Sequence, residues 1–145
     1  MKALLQRVSC ASVTVNTQCV GEIEHGLLVF LGLDEGDDQA AADRMLDRLL
    51  AYRVFSDGQG RMNCSVVDVG GGVLLVSQFT LAADTRKGLR PSFSTAMAPQ
   101  QAETLYHYLL EQLQRRHKPV AAGVFGADMQ VSLVNDGPVT FLLEC

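Results

Sequence analysis

The sequence predicts an α+β domain, a largely antiparallel and barrel-like β-sheet carrying two amphipathic helices. Three observations lead there. Short apolar and β-branched runs come in adjacent groups instead of alternating with helices, which favours α+β over a doubly wound α/β fold. Two segments show a clear 3.6-residue apolar stripe. A length of 145 residues with 48% hydrophobic content fits one domain, 1–145, with a substantial core.

Ala3–Val8 and Ser12–Val15 read as the first short strands, followed by Val20–Ile23. Gly26–Gly32 is apolar at successive positions, so it is expected to be a strand buried on both faces. Asp37 or Asp38 can cap a helix whose stripe is Ala42, Met45, Leu46, Leu49 and Leu50. Ser56–Gly60 has the chemistry of a turn. Val73–Val76 is a second apolar strand running into Ser77-Gln78-Phe79-Thr80-Leu81, and a polar loop from Ala82 to about Met97 follows. Pro99 opens the second helix, at the position where proline is tolerated. Its stripe is Ala102, Leu105, Tyr106, Leu109, Leu110 and Leu113, and Arg115, Arg116 and Lys118 close it in agreement with the helix dipole. Two further strands are expected at about Met129–Val134 and Val139–Leu143.

Composition excludes several classes. No apolar run reaches the roughly 20 residues that span a bilayer, and Met1–Arg7 meets charge too early for a signal peptide. The expectation is a cytoplasmic protein without membrane association. Cysteines at 10, 19, 64 and 145 form no Cys-x-x-Cys pair, so free thiols are expected, with neither a metal nor another cofactor. A net charge of −4 argues against gripping long stretches of nucleic acid, DNA included, but is compatible with touching one end of an RNA.

Gly70-Gly71-Gly72 precedes a strand and not a helix, so a turn is expected, not a phosphate loop. His25, His107 and His117 stand in no nucleophile elbow, and solvated or capping roles are expected. No side-chain base for a triad is evident. Arg86, Lys87 and Arg90 form a basic cluster that is either a solvated loop or a phosphate contact. Ser77, Gln78 and Thr80 place three hydrogen-bonding side chains where a buried strand ends. They either cap the strand or, with backbone N–H groups, supply the donors an acyl-transfer transition state needs. Asn135-Asp136-Gly137-Pro138 reads on its own as a tight hairpin turn between two strands.

Taken together, Ser77-Gln78-Phe79-Thr80-Leu81 and Asn135-Asp136-Gly137-Pro138-Val139-Thr140 resemble the two signature motifs of the bacterial-type D-aminoacyl-tRNA deacylases. Leu5–Val8, Tyr52–Asp57, Arg90–Phe93 and Ala127–Val131 also match, so the likeness spans the chain. It implies a homodimer with sites at the subunit interface, acting on the tRNA acceptor end that carries a D-amino acid. It implies a catalytic segment of Ser77, Gln78, Phe79 and Thr80. It further implies that Gly137-Pro138 is a Gly-cisPro motif entering the partner's site, that Arg7 holds this motif, and that Phe125 and Met129 line a pocket for the terminal adenosine. Carbonyls of Gly137 and Pro138 would then repel any L side chain, which leaves glycyl-tRNA a substrate too.

Overall fold

The computed structural model describes residues 1–145. In chain order the elements are β1 (Lys2–Val15), β2 (Gln18–Ile23), β3 (Gly26–Gly32), α1 (Gln39–Ala51), β4 (Phe55–Ser56), β5 (Met62–Cys64) and β6 (Gly72–Ser77). A 3₁₀ turn (Phe79–Ala82), α2 (Pro99–Arg116), β7 (Val120–Ala122) and β8 (Gln130–Glu144) complete the chain.

β1 organises the sheet. Residues Lys2–Val8 pair antiparallel with β3, and Ala11–Val15 pair antiparallel with β2. β8 runs antiparallel along the other edge of β1 for its whole length. The separate runs expected at Ala3–Val8 and Ser12–Val15 are thus one strand of 14 residues. Ser9 and Cys10, which interrupt the apolar pattern, sit exposed where the pairing with β8 slips.

Beyond β3 the sheet turns parallel. β6 pairs parallel with β3, and β7 parallel with β6. A parallel pairing needs a long crossover, and a helix is the usual one. α1 lies in the connection from β3 to β6, and α2 in that from β6 to β7. β2 comes round against β7, leaving a nearly closed barrel with β8 outside it.

Two apolar clusters follow. Leu27, Val29 and Leu31 face outward from β3 and pack with Met45, Leu46 and Leu49 of α1 and Leu105, Tyr106, Leu109 and Leu113 of α2. Leu28 faces the barrel interior with Val8, Val13, Ile23, Leu74 and Val76. β3 is therefore covered on both faces, as its unbroken apolar run predicts. Truncating Leu46 or Leu109 to alanine would cost about 2–5 kcal/mol, since each is fully enclosed.

Of the two capping candidates, Asp38 caps α1, its Oδ1 accepting from the Ala41 N–H at 2.8 Å. Pro99 is the first residue of α2, and His117 ends it. Arg116 reaches across to Asp43 and Asp47 of α1 at 2.6 and 3.0 Å, joining the two helices on their outer faces. His117 is buried, with Nε2 2.7 Å from the carbonyl of Gly71.

The expected hairpin at Asn135–Pro138 does not exist. β8 is one strand from Gln130 to Glu144. Its register on β1 passes from Val8↔Asn135 to Gln6↔Thr140, so residues 136–139 face Arg7 alone. The turn-forming residues build an outward bulge, because the strand on either side keeps the same neighbour.

Candidate functional site

β6 ends at Ser77 and the chain tightens at once into the 3₁₀ turn Phe79–Ala82. The N–H of Gln78 donates to the Leu31 carbonyl at 2.8 Å, tying this exit to the end of β3. Gly32 permits the close approach, since a Cβ there would stand 2.7 Å from the Leu81 Cβ. Gln78 and Ser77 are half-buried, while Phe79 and Thr80 are exposed. The Gln78 side-chain amide donates to Thr80 Oγ1 at 2.5 Å. An amide is not a base at neutral pH, so this contact orients the threonine without activating it. The N–H groups of Phe79 and Thr80 open the 3₁₀ turn and have no acceptor within it. The segment is a short row of donors with no ionisable side chain.

β7 runs parallel to β6, so the residues after it emerge at the same end of the barrel. There Gly123 donates to the Leu75 carbonyl at 2.9 Å. Phe125 packs its ring against Tyr106 at 5.6 Å, and Met129 lies against Gly123 and the barrel cluster. Both are half-buried. The structure therefore brings Phe125 and Met129 to the same end as the Gln78 segment. Tyr106, behind them, donates its hydroxyl to the Leu75 carbonyl at 3.1 Å, and burial pushes its phenol up to about 12.

The bulge of β8 is built with care. Arg7, with only 11% of its side chain exposed, pairs through Nε with Asp136 Oδ2 at 2.9 Å and donates to the Asp136 carbonyl at 3.2 Å. Its Nη1 donates to the Val54 carbonyl at 2.6 Å. The Asn135 amide donates to the carbonyls of Arg7 and Val139, at 3.1 and 3.0 Å. These contacts hold both ends of the bulge, and no side chain caps the carbonyls of Gly137 and Pro138 between them. The Gly137–Pro138 peptide is cis, and both residues are exposed. The clamping roles of Asn135 and Val54 are not visible in the sequence, although both lie in matched segments. Asn135 looked like a turn former, and a backbone carbonyl such as that of Val54 leaves no sequence signal.

The two signature segments are far apart in one chain. Ser77 is level with Leu31, Ala3 and Leu143 across the sheet, whereas the bulge lies opposite Arg7. Advancing from Ala3 to Arg7 and crossing from β8 to β6 separates them by on the order of 20 Å.

The loop after the 3₁₀ turn is closed by pairing of Asp84 with Ser92 and of Asp34 with Ala96. Arg86 grips Asp84 through two nitrogens, at 2.9 and 2.8 Å, and holds that carboxyl well below the usual range. Of the basic cluster, Arg86 is thus occupied, while Lys87 and Arg90 are exposed. No group of three or more His, Cys, Asp or Glu side chains is placed to hold a metal ion. No helix is long and apolar enough to cross a membrane.

A family model described as D-Tyr-tRNA(Tyr) deacylase matches residues 4–144. The chain belongs to this family. Relatives called D-aminoacyl-tRNA deacylase from Cellvibrio japonicus and Stutzerimonas stutzeri are 61% and 62% identical over 144 residues, covering 99% of each chain. Among solved structures, one described as c-Myc DNA Unwinding Element Binding Protein is 44% identical with a TM-score of 0.95, covering 100% of this chain and 99% of that one. Another, described as a probable eukaryotic D-amino acid tRNA deacylase, has a TM-score of 0.82 at 17% identity, covering 98% and 97%, and shares the deacylase fold.

Proposed function

We propose that this chain hydrolyses the ester of D-aminoacyl-tRNA, rejects the L form, and works as a homodimer. The observation that carries the reading is the Gln78–Thr80 segment, which offers donors to a carbonyl oxygen and no nucleophile–base pair. Such a site favours attack by water while Gln78 and the N–H of Phe79 hold the developing oxyanion. The free 2′-OH of the terminal ribose, absent from DNA, would assist. Phe125 and Met129, at the same end, would take the terminal adenosine.

The separation of about 20 Å between the signature segments supports a second copy supplying the bulge in trans. β8 has an open outer edge, and Val134 and Leu142 on it are half-exposed apolar residues suited to cover by another chain. Entering the partner's site, the Gly137 and Pro138 carbonyls would fill the space an L side chain needs. This is selection by repulsion, so it tolerates many D side chains. Glycine has no side chain to repel, and glycyl-tRNA is therefore expected to be cleaved. Proofreading of chirality in translation, in the cytoplasm, is the role that follows.

The solved relative whose name speaks of DNA does not alter this reading, because a net charge of −4 suits capture of one RNA end better than a duplex. The test is parallel deacylation of D-tyrosyl-, L-tyrosyl- and glycyl-tRNA. Hydrolysis of the D and glycyl esters with the L ester spared is expected. Equal rates on D and L, or none on D, would overturn the proposal, and glycyl-tRNA as resistant as the L ester would remove the steric wedge.

A further inference from the structure

Phe79 does more than lend its N–H. Phe79 is 64% exposed, and its ring lies tilted at 5.1 Å from that of Phe93, itself 41% exposed. Four residues before Phe93 in the same loop stands the fully exposed Leu89, with Arg90 after it and Lys87 two residues before it. Neither cation forms an ion pair, whereas their neighbour Arg86 is consumed by Asp84. An exposed apolar surface normally has a partner. Aromatic faces beside free cations form the combination that single-stranded nucleic acid uses, bases on rings and phosphates on Lys and Arg.

We infer that Phe79, Phe93, Lys87 and Arg90 form a seat for the unpaired nucleotides preceding the terminal adenosine of tRNA. This rests on the proposed deacylase reading and extends it from the ester to the strand that carries it. The chain's geometry supplies the direction. Phe79 belongs to the ester-facing segment, so a base on the Phe79–Phe93 pair lies next to the terminal nucleotide. The cleft of about 720 Å³ beside the loop is lined by Asp34, Glu35, Asp84 and Glu144 against Lys2 and Arg86, and this excess of negative charge disfavours phosphate there. The strand is thus steered along the Lys87–Arg90 face.

The experiment compares two substrates, D-tyrosyl-tRNA and D-tyrosyl-adenosine, in wild type, Phe93→Ala, Phe93→Trp and the Lys87→Ala/Arg90→Ala double variant. Loss of one stacked base is worth about tenfold. Phe93→Ala is expected to lose about tenfold more in kcat/KM on tRNA than on the adenosine ester, mostly in KM, and Phe93→Trp to restore it. The double variant is expected to reduce the slope of log kcat/KM against log salt by about 0.7 for each phosphate contact removed, on tRNA only. Equal losses on both substrates, or none on either, would overturn the seat. So would a shift of Phe93→Ala towards smaller species on sedimentation, which would make the patch a contact between copies. Binding separates this inference from the reading beneath it. Uncharged tRNA should bind more tightly than the same tRNA trimmed of its unpaired 3′ end, and Phe93→Ala should shrink that difference by about tenfold, since the terminal adenosine keeps its own pocket. Such discrimination without ester hydrolysis would leave the seat standing and sink the deacylase reading, and hydrolysis without discrimination would do the reverse.

Discussion

Replacing Arg7 by alanine tests the bulge most directly. Arg7 makes three contacts of unequal worth. Its bond to the Val54 carbonyl, at 2.6 Å, serves a residue that is 1% exposed. Leaving that acceptor without its charged donor costs about 1.5–3 kcal/mol. The contacts with Asp136 are worth less, because the Asp136 side chain is 48% exposed and water replaces the partner. Screening limits them to about 0.5–1 kcal/mol. The total of about 2–4 kcal/mol corresponds to a Tm lower by about 10 °C for a chain of this length. Arg7→Lys keeps the charge but not the fork that reaches Val54 and Asp136 together, so it should fall in between. The assays are thermal unfolding and the ratio of D- to L-tyrosyl-tRNA hydrolysis. If Arg7 holds the Asp136–Pro138 segment in its selecting position, that ratio should drop by at least about tenfold, or 1.4 kcal/mol. A Tm within about 2 °C of wild type would refute the clamp. A lowered Tm with an unchanged ratio would refute the role of the bulge in stereoselection.

Other changes probe the rest of the molecule. Gly32→Ala places a Cβ 2.7 Å from that of Leu81 and should cost about 1–3 kcal/mol in thermal unfolding. Displacing the 3₁₀ turn by even part of an ångström should also slow ester hydrolysis, by up to about 100-fold; wild-type activity and Tm would show that the cradle is not tight. Thr80→Ala is expected to lose far less activity than Gln78→Ala, while a substrate ending in 2′-deoxyadenosine should react slowly; full activity on it would remove 2′-OH assistance, and inactivity of folded Thr80→Ala would make the threonine a nucleophile. Tyr106 keeps its proton better folded than unfolded, so its contribution is complete below pH 10 and fades as pH rises towards 12. Over those two pH units wild type should lose up to about 2.7 kcal/mol more than Tyr106→Phe in denaturant titrations. Parallel curves would contradict the burial of that hydroxyl.

The helices and the double-faced strand were legible in the sequence because their signal is periodic and local. The Met45–Leu49 and Leu105–Leu113 stripes and the Gly26–Gly32 run bury the faces that their spacing marks. A hairpin fails to form at Asn135–Pro138 for a complementary reason. Asn, Asp, Gly and Pro announce that the backbone bends, but not whether the chain then reverses. That depends on the neighbouring strand, and β1 continues past the bend on both sides. The parallel pairings were hidden likewise, since a crossover is defined by which strand the chain rejoins.

What the sequence determined by itself was the α+β class, the apolar faces and the two signature segments, with their family. All of these are properties of residue type and order. The tertiary structure decided the rest. It made one strand of β8, set Arg7, Asn135 and the Val54 carbonyl around the bulge, used Arg86 on Asp84 and left Lys87 and Arg90 unpaired. It also put the two signatures on the order of 20 Å apart. Side-chain partners and distances across a sheet depend on register and strand order, and long-range pairing fixes those, not any local run of residues.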